Sequence, residues 1–383
     1  MKNVGLVTYY GDNYGGMLQA YALQTVVKKQ GFECQIISND FLQRKTKASL
    51  ALNKAKSLFK ALKHPKEYMS KRKLYRQYSG ERLIRTGNFK AFREKHLDVF
   101  NTGYQTYEQH GGIADKYDIF LCGSDQIWNP NLYSKNGFYF AEFGSPKALK
   151  ISYASSIGLS RLDKKQAEFM APMLNQLDIV STREQKGAEI IEKISDKKAR
   201  VVLDPTLLLT AEDWSKLCGP SELDYPYVLC YLFGERDYVE GIKKTVKELT
   251  GLKIVSIPFV TRELESDDVK IFDAGPSDFI DLIKNAALVL TDSFHATAFS
   301  INLKTPFISL CRFSKTDKKS MNDRLTTILD LVDLKDRLLD DGDAITKDFL
   351  FDVDFEKAHK LLNKKRQKDL GFLVDALNFE KKQ

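Results

Sequence analysis

The stretch Asn285–Ser309, NAALVLTDSFHATAFSINLKTPFIS, decides the fold. Ala286–Leu290 is a short apolar run of the kind that forms a strand buried on both faces of a parallel sheet. Thr291, Asp292 and Ser293 follow at once, residue types that cap helix N-termini. Ala296–Leu303 then predicts a short apolar helix and Pro306–Leu310 the next strand. His295 thus falls in the first helical turn, at the carboxyl end of a strand. Ligands of open α/β sheets bind at that edge, and a helix N-terminus there favours anions. An imidazole at that address can transfer a proton near neutral pH.

The same rhythm runs outward in both directions. Lys2–Thr8 predicts a strand, Tyr9–Gly16 a glycine-rich loop, Met17–Gln30 an amphipathic helix ending at Gly31, and Phe32–Ser38 a second strand. Further strands are expected at Tyr117–Cys122, Lys150–Ala154, Ile179–Thr182, Val201–Leu203, Tyr227–Phe233 and Lys253–Ile257. Between them Leu162–Leu177, Gly187–Ile194, Arg236–Thr250, Ser277–Lys284 and Asn322–Leu331 read as helices, and Phe355–Phe379 as a long C-terminal one. Alternating strands and helices predict an α/β protein of two Rossmann-like domains facing a cleft. A polar connector, Gly219–Tyr225, places the boundary: residues 1–218 form one domain, 219–350 the second, and 351–383 a helix expected to pack back on the first.

A chain of 383 residues suits two domains, and its 43% hydrophobic content that of a soluble globular protein. No apolar run approaches the ~18–20 residues that span a bilayer, and the opening MKNVGLVTYYGDNYGG reads as a first strand, not a secretory signal. The expected location is therefore the cytoplasm. Cys34, Cys122, Cys218, Cys230 and Cys311 are scattered, with no C-x-x-C pair. They predict neither a disulfide framework nor a metal site, and Cys122 and Cys230 sit in apolar strands.

Charge is unevenly placed. Residues 43–96 hold 17 Lys and Arg against three acids, a net of 17 − 3 = +14, so the rest of a +8 chain carries 8 − 14 = −6. Within this segment 45–63, 67–78 and 89–96 look helical. It reads as a basic helical insertion, either a solvated face or a surface for acidic lipid headgroups or a lipid-linked acceptor at the inner face of the membrane. Aromatics are not interleaved in a recognisable pattern, so nucleic acid is not an expected partner.

Four loops fall at predicted carboxyl ends of strands. In the first, Asn13, Tyr14, Gly15 and Gly16 allow close backbone approach to a ligand, without a Walker or G-x-G-x-x-G pattern. The second gathers Ser124, Asp125, Gln126 and Trp128, groups that stack on and hydrogen-bond a sugar; Asp125 is also a candidate base. In the third, Arg183 suits bidentate recognition of carboxylate or phosphate, or a salt bridge to Glu184 or another neighbour. The fourth is Thr291-Asp292-Ser293-Phe294-His295. His64, His96, His110 and His359 fall in predicted surface helices or loops, and no G-x-S-x-G elbow supports a serine hydrolase.

In order and spacing, YYGDNYGGMLQAYAL, FLCGSDQIWNP, SYASSIG, STRE, VLDPTLLL, VLTDSFHATAFSI and TPFI together resemble the polysaccharide pyruvyl transferase family. The resemblance leaves out the basic insertion and the last ~40 residues. It implies a two-domain GT-B-like fold, with the acceptor on the 1–218 side and the donor on the 219–350 side. It also implies transfer of the enolpyruvyl unit of phosphoenolpyruvate to two hydroxyls of a cell-surface glycan precursor, giving a cyclic ketal and phosphate. Phosphoenolpyruvate is then a co-substrate, with no cofactor or metal. His295 becomes the general acid and Asp125 the base; Arg183, Thr291, Ser293, Phe294 and Arg324 serve the donor. Many family members carry Arg-Leu-His where this chain has Ser293-Phe294-His295, so either Arg183, Arg312 or Arg324 supplies the anion ligand or the donor differs. Two rival readings are a nucleotide-sugar glycosyltransferase on the same architecture and an inactive glycan-binding paralogue.

Overall fold

A computed structural model describes residues 2–39, 65, 69, 76–132, 136–219, 223–234, 236–314, 317 and 320–381. The segments 45–63 and most of 67–78, expected as helices of the basic insertion, lie outside the described residues, as does His64. Phe89–His96 proves to be the end of one helix, Ser79–His96, whose Phe89 and Phe92 are buried.

Apolar strands with every residue buried, such as Ile119–Cys122 and Leu288–Thr291, force sheets covered on both faces. The first sheet runs β3 (Val99–Phe100), β2 (Glu33–Ile37), β1 (Asn3–Val7), β4 (Ile119–Cys122), β5 (Leu149–Ser152), all parallel. Single parallel bridges, Ile151 to Ile179 and Ser155 to Thr182, join it to the pair β6 (Val180–Thr182) and β7 (Ala199–Val201). The second sheet runs β10 (Val269–Lys270), β9 (Lys253–Ser256), β8 (Tyr227–Tyr231), β11 (Leu288–Thr291), β12 (Phe307–Leu310), β13 (Leu338–Leu339), again all parallel. Both halves therefore have the 3-2-1-4-5 order of a doubly wound sheet. In such a sheet the crevice opens where the order reverses, between β1 and β4 and between β8 and β11.

Most sequence boundaries hold within two residues. The predicted strand 201–203 shifts back to Ala199–Val201, because Leu203 gives its N–H to the Asp369 carboxylate, 2.8 Å away, and leaves the ladder. His110 is a correction: it is fully buried, with its ring 5.2 Å from Phe138, and burial lowers its pKa. His359 is half-buried, its Nε2 2.8 Å from the carbonyl of Ile301. Cys122 and Cys230 are buried as expected.

The halves are pinned to each other. Tyr14, at the start of the Tyr14–Lys29 helix, stacks on Phe279 of the second half at 4.4 Å and donates to the Ala274 carbonyl at 2.7 Å. Asn302 donates to the carbonyls of Thr206 and Leu209. The C-terminal helix, Phe355–Asn378, does more than return to the first half: Arg366 donates to the Leu207 carbonyl at 2.7 Å and to Asn302 Oδ1 at 3.0 Å, bridging both.

Candidate active site

Three of the four loops follow β1, β4 and β11, the strands at the two reversal points, and the fourth follows β6. Arg183, His295 and the Ser124 hydroxyl, from three of these loops, converge on Asp204, a residue given no role by its local pattern. Asp204 is 1% exposed. Its Oδ1 accepts from the backbone N–H and hydroxyl of Thr206, at 3.0 and 2.7 Å. Its Oδ2 accepts from Arg183 at 2.6 Å and Ser124 at 3.3 Å. His295 Nε2 lies 3.7 Å from the same oxygen, beyond a hydrogen bond but within strong electrostatic reach. Burial alone would push the Asp204 carboxyl up; His295, Arg183 and the Thr206 amide outweigh it and hold it far below the usual range.

Arg183 crosses the site. One nitrogen binds Asp204 and another stands 3.5 Å from Asp125, so the chain of charge runs Asp125, Arg183, Asp204, His295. Its guanidinium carbon sits 4.2 Å over the Phe294 ring. The salt bridge expected of Arg183 is thus made to Asp204, not to its neighbour Glu184. Instead Glu184 Oε1 accepts from Ser156 Oγ and the amides of Ile157 and Gly158 at 2.9–3.0 Å. Burial raises the Glu184 pKa despite Arg183.

Of the arginines considered as replacements for the missing Arg-Leu-His arginine, the structure separates three cases. Arg312 is engaged by the Asp292 carboxylate at 3.0 and 3.1 Å, and Arg183 by Asp204. Arg324 is 9% exposed and has no hydrogen bond or ion pair among the described residues. Burial, then the like charges of Arg183 and Arg312, push its pKa down to about 10. A buried cation without a partner is unstable unless an anion joins it.

Several expected contacts are corrected. Tyr14 belongs to the interface between the halves, not to an acceptor. Trp128 is 2% exposed, stacked on Phe140 at 5.3 Å with its N–H on the Tyr139 carbonyl, so it offers no face to a sugar. Ser124 is fully buried, with its hydroxyl on the Ala154 carbonyl. Asn13 Oδ1 caps the helix by accepting from Gly16 N–H at 3.0 Å. Thr291 donates to the Tyr231 carbonyl and accepts from Ser293 N–H, which fixes the strand end. Ser293 is the helix N-cap and Phe294 the bed under Arg183. Gln126 is half-buried and receives Asn129.

Gly15 is needed for packing across the halves and Gly16 for packing within the first. A Cβ on Gly15 would lie 2.0 Å from His295 Nδ1, and one on Gly16 2.7 Å from the Tyr9 ring. Gly15→Ala is expected to displace the imidazole and to cost about 1–3 kcal/mol of stability, measured by chemical denaturation; an unchanged midpoint would refute the contact. A cavity of about 50 Å³ lies below Arg183, Asp204, Phe294 and Arg324, walled by Ile328, Leu331 and Lys365, on the side that His295 and Asp125 do not line. No group of His, Cys, Asp and Glu able to hold a metal occurs among the described residues.

Residues 13–310 match the family model described as polysaccharide pyruvyl transferase. Among curated protein sequences none matches. The UDP-GlcNAc 2-epimerase from Methanocaldococcus jannaschii superposes with a TM-score of 0.52 at 15% identity, over 99% of this chain and 100% of that one. The S. aureus MnaA–UDP co-structure gives 0.52 at 10% identity, over 100% and 99%. At such identities the likeness is one of fold, the GT-B-like pairing of two parallel-sheet halves.

Proposed function

This chain belongs to the polysaccharide pyruvyl transferase family, and from that premise we infer that it moves the enolpyruvyl group of phosphoenolpyruvate onto a sugar of a cell-surface polysaccharide precursor. Donor and site match in charge. Phosphoenolpyruvate brings a carboxylate and a phosphate, and Arg324 is a buried guanidinium that no carboxylate pairs directly among the described residues, Glu184 and Asp125 acting on it only at longer range. That single observation carries the reading.

In the proposed reaction His295 Nε2 delivers a proton to the methylene carbon of the donor. The neighbouring carbon becomes oxocarbenium-like. An acceptor hydroxyl adds to that carbon and gives its proton to Asp125. A second hydroxyl then displaces phosphate and closes the ketal, its proton restoring His295 while the Asp125 proton leaves on the phosphate, so one phosphate leaves for each pyruvyl group bound. Arg183 and Arg324 hold the anionic groups through charge-assisted bonds. The acceptor is a glycan or lipid-linked saccharide, met in the cytoplasm at the inner face of the membrane. There the excess of Lys and Arg in 43–96 favours anionic lipid.

Arg324→Met tests the donor assignment with two opposed outcomes. Because the folded pKa lies below the unfolded one, the charge opposes folding at every pH below about 10. Removing it is expected to stabilise the ligand-free protein by about 1–4 kcal/mol and to abolish the melting-temperature rise given by phosphoenolpyruvate. A retained rise sinks the donor role of Arg324. A rise with nucleotide sugars and none with phosphoenolpyruvate, in the unaltered protein, would favour a glycosyltransferase.

A further inference from the structure

Another arginine lacks a carboxylate partner among the described residues and meets Tyr14, whose neighbour Gly15 faces His295. Arg85 projects from the Ser79–His96 helix, half-buried, with its guanidinium carbon 4.8 Å over Tyr14, 5.4 Å over Phe89 and 4.6 Å over Phe259. Ring faces attract the cation, but they do not accept hydrogen bonds from its five N–H groups at the strength a charged oxygen would. Arg85 makes no hydrogen bond or ion pair among the described residues. Asp273 and Asp278 are near enough to raise the pKa of Tyr14, yet neither pairs with it.

This guanidinium lines a cavity of about 60 Å³ between the two halves. Tyr78, Arg82 and Arg85 form one wall, and Phe259 and Phe272 the other. Tyr78 and Phe272 stack at 3.9 Å, which closes one end. The space suits a compact group of a few heavy atoms. Its cationic wall selects an anion, and the planar fork of arginine matches phosphoryl oxygens. On the same helix, Leu83 and Ile84 are 73% and 54% exposed. An anionic pocket ligand beside exposed aliphatic side chains fits a phosphoryl group carried on an apolar chain.

We propose that this cavity binds the phosphoryl group of a phosphorylated acceptor saccharide, with Arg85 as its main ligand and Leu83 and Ile84 against a lipid carrier. The assignment rests on the acceptor reading above and places the acceptor's charged end near Tyr14, whose neighbour Gly15 faces His295.

Calorimetry of the full chain with inorganic pyrophosphate tests the anion site. The unaltered protein should bind it, more weakly as salt rises, and should still bind it when saturated with phosphoenolpyruvate. Arg85→Gln should weaken that binding tenfold or more, and Arg85→Lys, which keeps charge without the fork, by less. No binding, displacement by phosphoenolpyruvate, or equal affinity in Arg85→Gln overturns the proposal. The phosphoenolpyruvate-induced melting shift, measured in the same variants, reports folding and the donor reading separately: its loss in the unaltered protein counts against the donor, not against this cavity. Sedimentation with phosphatidylcholine vesicles, with and without farnesyl diphosphate, decides the source. Leu83→Ser with Ile84→Ser should reduce capture by the diphosphate vesicles and leave pyrophosphate affinity intact. Unreduced capture refutes the lipid carrier and assigns the cavity to a free phosphate ester.

Discussion

His295→Asn is expected to lower phosphate release from phosphoenolpyruvate, in the presence of acceptor, by about 10²–10⁴-fold, the usual contribution of a positioned general acid. The imidazole stands at the first turn of the Phe294–Leu303 helix, on the backbone of Gly15 and 3.7 Å from the Asp204 carboxylate. Its Nε2 has no hydrogen-bond partner, so that nitrogen is open to a ligand. For the same reason asparagine removes no hydrogen bond at that nitrogen, and the melting temperature should change little. The expected signature is a fall in kcat with nearly constant KM, because the proton is delivered in the transition state and the anions are held by arginine. Unreduced turnover would dismiss His295 as the acid. A raised KM at unchanged kcat would instead make it a binding residue.

Asp204→Ala should produce the largest loss of stability, about 3–5 kcal/mol, the cost of breaking a buried charge cluster by removing one partner. Arg183 would keep its charge while losing its 2.6 Å partner, and Ser124 and the Thr206 amide would lose an acceptor. Urea denaturation at neutral pH measures it; a loss below about 1 kcal/mol would mean that the cluster is replaceable by water. The pH dependence has a defined sign. The carboxyl is held down in the folded state, so its contribution is complete above the unfolded carboxylate value of ~3.9 and declines as pH falls below it. The gap between the unaltered protein and Asp204→Ala should therefore be constant through neutral pH and narrow only in acid. A gap that closes near pH 7 would place the relevant proton elsewhere.

The order of strands and helices was legible because burial periodicity, capping residues and glycines act over a few neighbouring positions. His295 was legible for the same reason: an apolar strand, three capping residues and an apolar helix fix its address without knowledge of the rest. The polar loops at strand ends were found as a group, but their contents were misassigned where burial decides the role. Trp128 looks like a sugar platform in sequence and is a core side chain in the fold. Tyr14 and Gly15 look like a ligand loop and serve the contact between the halves.

Three arginines, Arg183, Arg312 and Arg324, are equivalent in sequence and separate in the structure, since an ion pair depends on which distant carboxylate folding brings near. Asp292 takes Arg312, Asp204 takes Arg183, and Arg324 is left without a directly paired carboxylate among the described residues. Asp204 itself, in VLDPTLLL, shows locally only a capping residue before proline. Its place beneath His295 follows from strand order and from the docking of two halves far apart along the chain. The sequence by itself determined a doubly wound α/β chain and the helix start that carries His295, because local periodicity and capping are short-range. Only the tertiary structure decided which charges are paired directly and which are not, because pairing and desolvation are set by what the fold brings within a few ångströms.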